Sequence, residues 1–272
     1  MAAAAHPRRP HITADAFLTV ANVVYLVLAM SLLTLAGCLP LVLAVIFAPS
    51  TAFYPLWIAA AALSAPGVAA SFAIFRDHPV FMPAARRDAL NVIESSGAAL
   101  PDWIAATYVP SDVSVAVFRP YGRAYRRLFR RALTVGAIMC TVEFALLYDA
   151  QLLMQVAWGQ LLVPMLLVLA AYNPFAMMMV LHIAVEFPQA RLRALLRNGW
   201  MMTIRRPYML LVNVAVAVVY AWGLTISPIL VAVLATGVAA FVVWAGLRWQ
   251  SQPLALAMAR ESGDRRLVAL YE

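Results

Sequence analysis

Residues 208–247 read YMLLVNVAVAVVYAWGLTISPILVAVLATGVAAFVVWAGL, forty positions without an arginine, lysine, aspartate or glutamate. A helix needs about 20 such residues to cross a hydrocarbon core of about 30 Å, so this stretch is long enough for two spans. Ser227 and Pro228 supply the turn between them. Similar uncharged runs occur at Phe17 to Phe47, Thr51 to Ile74 and Val156 to Val185. One run would suit a buried core helix; several call for lipid.

Composition agrees. Of 272 residues, 65% are hydrophobic and only 12% charged, against roughly a quarter charged in soluble domains. The expected fold is an all-α, polytopic transmembrane helical bundle, a single integral membrane domain over 1–272. Its six spans fall near 17–39, 51–74, 132–148, 157–185, 208–225 and 228–247. The first apolar run is read as a retained span and not a cleavable signal peptide, because it exceeds the usual h-region of about 15 residues. Pro40 should kink or end that helix, and Ala48, Pro49, Ser50 and Thr51 should form a turn and N-cap for the next.

All 20 basic residues are arginines, and their placement orients the chain. Two lie in the N-terminal tail, nine between Arg76 and Arg131, five between Arg191 and Arg206, and four from Arg248 onward. None falls in the connections near Pro49, between Asp149 and Gln155, or near Ser227. A six-span chain therefore places every arginine on one side, which the positive-inside rule makes the cytoplasm, with both termini there. The same rule accounts for the net charge of +8, so nucleic acid is not the implied partner. Trp57, Tyr148, Trp158, Tyr220 and Trp222 fall toward the arginine-free ends, as interfacial anchors do.

Within the loop 76–131 a short helix is expected near 84–95. From about Pro120, Tyr121, Tyr125, Phe129 and Ala132 recur at helical spacing, with Arg119, Arg123, Arg126, Arg127 and Arg130 on the opposite arc. Such a basic amphipathic helix should lie on the cytoplasmic membrane surface before turning into the third span. There it would contact anionic lipid headgroups or a partner. A second basic segment precedes the fifth span, with Leu192, Leu195, Leu196, Gly199 and Thr203 as its apolar stripe. Repetition of basic helix and two-span hairpin would suit an internally duplicated membrane protein.

Ionisable groups inside a bilayer are costly and mark candidate sites. Glu143 lies about 16 Å into the third span, near the midplane. Asn22, Asn173, Asn213 and His182 are its candidate partners, and a shared polar interior would suit a proton, cation or polar solute. Protonation or an interhelical hydrogen bond is the structural alternative. His182 and Glu186 share a helix face at i, i+4, as a functional pair or as an interfacial cap. Pro174 leaves a carbonyl of the fourth span for a neighbour, water or ligand to satisfy.

GxSxG, HExxH, phosphate-loop and GxGxxG motifs are absent, and the four histidines are dispersed. Cys38 and Cys140 sit within spans and suggest neither a disulfide framework nor zinc. The sequence makes no case for an enzyme, a cofactor or a metal.

The order of features resembles the YesL-like family of bacterial integral membrane proteins of unknown function. The resemblance rests on Asn22 to Tyr25 opening the first span, Leu39-Pro40, the Pro49-Ser50-Thr51-Ala52 turn with Tyr54, and the basic aromatic helix Phe118 to Ala132. It covers most of the chain, although 76–112 is longer than the usual connection and Leu43 to Phe47 replaces a glycine-rich step. It implies a bacterial plasma-membrane location and an accessory or regulatory role beside a carbohydrate-uptake transporter complex. The 190–207 loop lacks the EAA-type pattern of a sugar-transporter permease. A small secondary transporter built on Glu143 is the alternative.

Overall fold

The computed structural model describes residues 14–82, 84–95, 101–105 and 116–271. Arg8 and Arg9 of the tail, and Pro83, Gly97 and Pro110 of the loop, lie outside the described residues. Ten α-helices follow in chain order: α1 Ala14–Gly37, α2 Leu39–Phe47, α3 Tyr54–Asp77, α4 Ala84–Ser95, α5 Phe118–Leu153, α6 Val163–Glu186, α7 Leu192–Arg205, α8 Pro207–Ile226, α9 Pro228–Glu261 and α10 Arg265–Tyr271. No strand occurs among the described residues.

Five of these segments, ending in α3, α5, α6, α8 and α9, are long and apolar enough to cross a membrane, and the α1/α2 pair makes six if it counts as one bent span. The bend is 69°, at Cys38, with Pro40 in the first turn of α2. Proline suits that position, where its missing N–H costs no hydrogen bond. The next turn forms as its sequence predicts: Ser50 Oγ accepts from the Ala52 N–H at 3.3 Å and a 3₁₀ turn, Thr51–Phe53, leads into α3.

The surface is inside out relative to a water-soluble protein. Leu161, Ile229 and Phe47 are at least 80% exposed, and Trp158, Trp222 and Tyr148 are exposed toward the arginine-free end. A bilayer removes this cost, since lipid tails are as apolar as leucine. Burial sorts the spans: 72% of the apolar window of α3 is buried, against 6% for α8. Thus α3 is the central helix and α8 is peripheral, its apolar surface suited to lipid.

Small residues give α3 its place. Ala65, Ala69, Ala70 and Ala73 are nearly inaccessible and let α5, α1 and α6 approach closely. A Cβ on Gly136 of α5 would lie 2.7 Å from Ala65 Cβ and 2.8 Å from the Ala62 carbonyl oxygen. Tyr121 of α5 donates to the Gly67 carbonyl of α3 at 3.1 Å, and Thr34 of α1 bonds Ser71 at 2.9 Å.

The two basic segments differ. At Arg206 the backbone leaves helical geometry (φ −127°, ψ 80°), because Pro207 disfavours helix in the residue before it, so α7 is separate from α8. No proline or glycine lies between Gly122 and Gly136, and α5 runs 36 residues without interruption. At 1.5 Å per residue that is about 54 Å, well beyond a core of about 30 Å. The turn expected before the third span is therefore absent: the arginine-bearing half of α5 continues the span. Its buried stripe is Tyr121, Ala124, Leu128, Ala132 and Val135, whereas Phe129, expected on that stripe, is 38% exposed.

Candidate functional site

Among the described residues, two polar centres in the bundle contain carboxylates. The first joins α5 and α6, where Asn173 Nδ2 donates both to Glu143 Oε2 at 2.9 Å and to the Met139 carbonyl at 2.9 Å. Asn173 is buried and Glu143 is half-buried. The other partners expected for Glu143 lie elsewhere. Asn22 is exposed on α1, and Asn213 is buried on α8 facing Gly246 of α9. His182 bonds Ser251 of α9 at 3.0 Å. The shared polar interior is thus not assembled, because these residues face different neighbouring helices. Pro174 lies within α6, which continues through it.

A single interhelical hydrogen bond in a membrane averages about 0.6 kcal/mol. Glu143→Gln keeps an acceptor for Asn173 and should leave the unfolding temperature in detergent within about 2 °C of the parent. Asn173→Leu should lower it by more, having removed a donor to two acceptors. Equal effects of the two substitutions would show that charge on Glu143 matters to packing.

The second centre is larger and lies at the arginine-bearing end. Arg76, at the end of α3, is 1% exposed and forms a fork with its neighbour Asp77: Nε to Oδ1 at 2.6 Å and Nη2 to Oδ2 at 2.7 Å. Its Nη1 donates to the Val185 carbonyl of α6 at 2.5 Å, tying the ends of the two helices together. Arg86 of α4 meets Glu186 at 3.4 Å, both almost fully buried. His182 and Glu186 share a face as expected, yet each bonds another helix, His182 to α9 and Glu186 to α4.

Arg248 of α9 and Tyr271 of α10 complete this centre. Arg248 stacks over Trp244 at 5.7 Å and Arg86 over Tyr271 at 5.6 Å, both within cation–π range. Burial pushes the Tyr271 phenol above its ordinary pKa, and the Glu186 charge pushes the same way. Arg86, Glu186, Arg248 and Tyr271 line a cavity of about 350 Å³ together with aromatic rings of α9.

The predicted basic arc is present as predicted: Arg119, Arg123, Arg126, Arg127 and Arg130 are all exposed on α5. Arg131 differs from them. It donates to the carbonyls of Phe187 at 3.0 Å, Ala190 at 2.7 Å and Pro188, fastening α5 to the turn between α6 and α7.

Sequence patterns do not single out Arg76, Asp77, Arg86, Arg248 or Tyr271. The only local signal is that Arg76-Asp77 and Arg248 directly abut long uncharged runs. Arg86 and Glu186 are 100 positions apart, so nothing local couples them.

Fold and surface define the class as an α-helical protein with several helices suited to crossing a membrane. Comparisons with family models, with curated proteins and with solved structures find no match.

Proposed function

We propose that the chain is an accessory protein of the bacterial plasma membrane, its termini and arginine-rich segments cytoplasmic, that docks a protein partner through the outer arc of α5. The supporting observation is the state of that arc. Arg119, Arg123, Arg126, Arg127 and Arg130 are exposed, and among the described residues none of them makes a salt bridge. The opposite face of the same helix is buried, and Arg131 holds it to the α6–α7 turn. A rigid cationic ridge results.

Such a ridge suits an acidic partner surface or anionic lipid headgroups, each arginine near a charged membrane contributing about 1 kcal/mol. The YesL-like resemblance makes the proposed partner a carbohydrate-uptake complex. Recovery from membranes in mild detergent, with identification of bound proteins, should yield a stable partner. Reversing Arg119, Arg123 and Arg126 to glutamate should release it while the spans remain inserted, as checked by topology mapping. Retention of the partner by the reversed protein, or recovery of no partner from native membranes, would overturn the reading.

A second reading, a small secondary transporter, draws on the half-buried Glu143–Asn173 pair. Proton-coupled uptake into proteoliposomes that Glu143→Gln abolishes would favour it over docking.

A further inference from the structure

The cavity at the arginine-bearing end contains buried donors without acceptors. Among the described residues, Arg86 Nε and Trp244 Nε1, which can only donate, the Tyr271 hydroxyl, which can donate or accept, and the acceptor Glu186 Oε1 are buried and make no hydrogen bond. Buried polar groups in folded proteins are nearly always paired, so two N–H donors and a hydroxyl beside a single carboxylate oxygen suit an acceptor-rich guest.

Charge points the same way. Arg76 and Asp77 neutralise each other through their two-point contact. Arg86 has Glu186 at 3.4 Å, a single long contact. Arg248 has no carboxylate in salt-bridge range among the described residues; its guanidinium lies over the Trp244 ring. Among the described lining residues two arginines, Arg86 and Arg248, thus stand against one carboxylate, Glu186, in a mostly apolar wall, where an unpaired charge is costly.

The wall restricts the guest further. Phe81, Phe241, Trp244 and Trp249 line it, and its volume of about 350 Å³ lies within the usual range of small-molecule sites, about 300–1,000 Å³. An inorganic anion would leave the rings uncovered. Guanidinium groups bind phosphate oxygens with directed N–H donors, and a tetrahedral group accepts from several directions at once.

We propose that this cavity binds an organic phosphate, its anionic group held by Arg248, Arg86, Trp244 Nε1 and Tyr271 Oη and its apolar substituent packed on the α9 rings. The phosphate belongs to a phospholipid headgroup or to a soluble phosphate ester. Glu186 acts as the internal competitor for Arg86, holding the guanidinium in the absence of ligand.

The test uses the full-length protein in an uncharged detergent. Two probes distinguish the sources: phenyl phosphate for a soluble ester and dihexanoyl phosphatidylglycerol for a lipid headgroup. Dihexanoylglycerol and benzyl alcohol are the comparators, each lacking the phosphate. Binding is read by calorimetry and by tryptophan fluorescence, since Trp244 and Trp249 line the site.

At least one anionic probe should saturate where its comparator does not. Arg248→Gln, at a half-buried position, should weaken that binding roughly tenfold or more in protein that still folds, the value of a hydrogen bond to a charged group. Glu186→Gln should strengthen it several-fold by removing the competitor. Absence of saturable binding by both anionic probes would overturn the proposal, as would an affinity unchanged in Arg248→Gln. Weaker binding in a folded Glu186→Gln protein would overturn the competitor role.

Discussion

Asp77→Leu is expected to destabilise the protein by about 3–5 kcal/mol, the usual cost of leaving a buried partner charge uncompensated. The remaining Arg76 would be a 1% exposed guanidinium left with the Val185 carbonyl as its hydrogen-bond partner and the Glu186 charge, already engaged by Arg86, nearby. Its burial is imposed by α6 and cannot be relieved by snorkelling, because the side chain points into the packed ends of α3 and α6. Thermal unfolding followed by fluorescence-detected size exclusion should show a drop on the order of 10 °C and a lower folded yield. Replacing both partners, Arg76→Met with Asp77→Leu, should recover much of the loss, since the desolvation cost disappears with the charges. A double variant no more stable than Asp77→Leu alone would mean that the Arg76–Val185 contact, and not the ion pair, holds the helix ends.

The other large effect is expected where α1 crosses α3. A Cβ on Gly67 would fall 2.6 Å from Gly37 Cα, and one on Gly37 would fall 2.7 Å from Gly67 Cα. Both obstacles are backbone atoms, so no rotamer change relieves the clash. Gly67→Val should force the helices apart, break the Tyr121 bond to the Gly67 carbonyl and cost about 3 kcal/mol, the upper part of the usual overpacking range. Gly122 is the control. It lies on the exposed face of α5 with nothing within 4 Å of its Cβ position, and Gly122→Ala should be neutral or stabilise by up to about 0.8 kcal/mol through helix propensity. Equal destabilisation at the two positions would remove the close crossing as the explanation.

Much of the bundle is legible from hydropathy because a bilayer imposes a length requirement that one-dimensional sequence meets or fails. The spans, the proline-linked break after α1, the Ser50 turn and the α4 helix all follow from local chemistry. The α5 boundary did not, for an equally local reason. Arginines mark the membrane edge, but helix formation responds to propensity and to prolines, and arginine is a good helix former. Glu143 was identifiable as an isolated acid in an apolar run, whereas choosing Asn173 from four candidate partners required knowing which helices are neighbours.

The buried arginine centre shows the division most clearly. An Arg-Asp step at the end of a span reads as solvated interface, and nothing in residues 76–77 indicates that α6 covers it. The aromatic-lined cavity depends on α4, α6, α9 and α10 converging, with Arg86, Glu186, Arg248 and Tyr271 contributed from separate parts of the chain. Sequence alone determined that the helices are suited to lipid and that the arginines segregate to one end, since both follow from the transfer cost of each segment taken singly. Tertiary structure decided which of those arginines are buried, paired or free, because burial and pairing are properties of neighbours that only packing brings together.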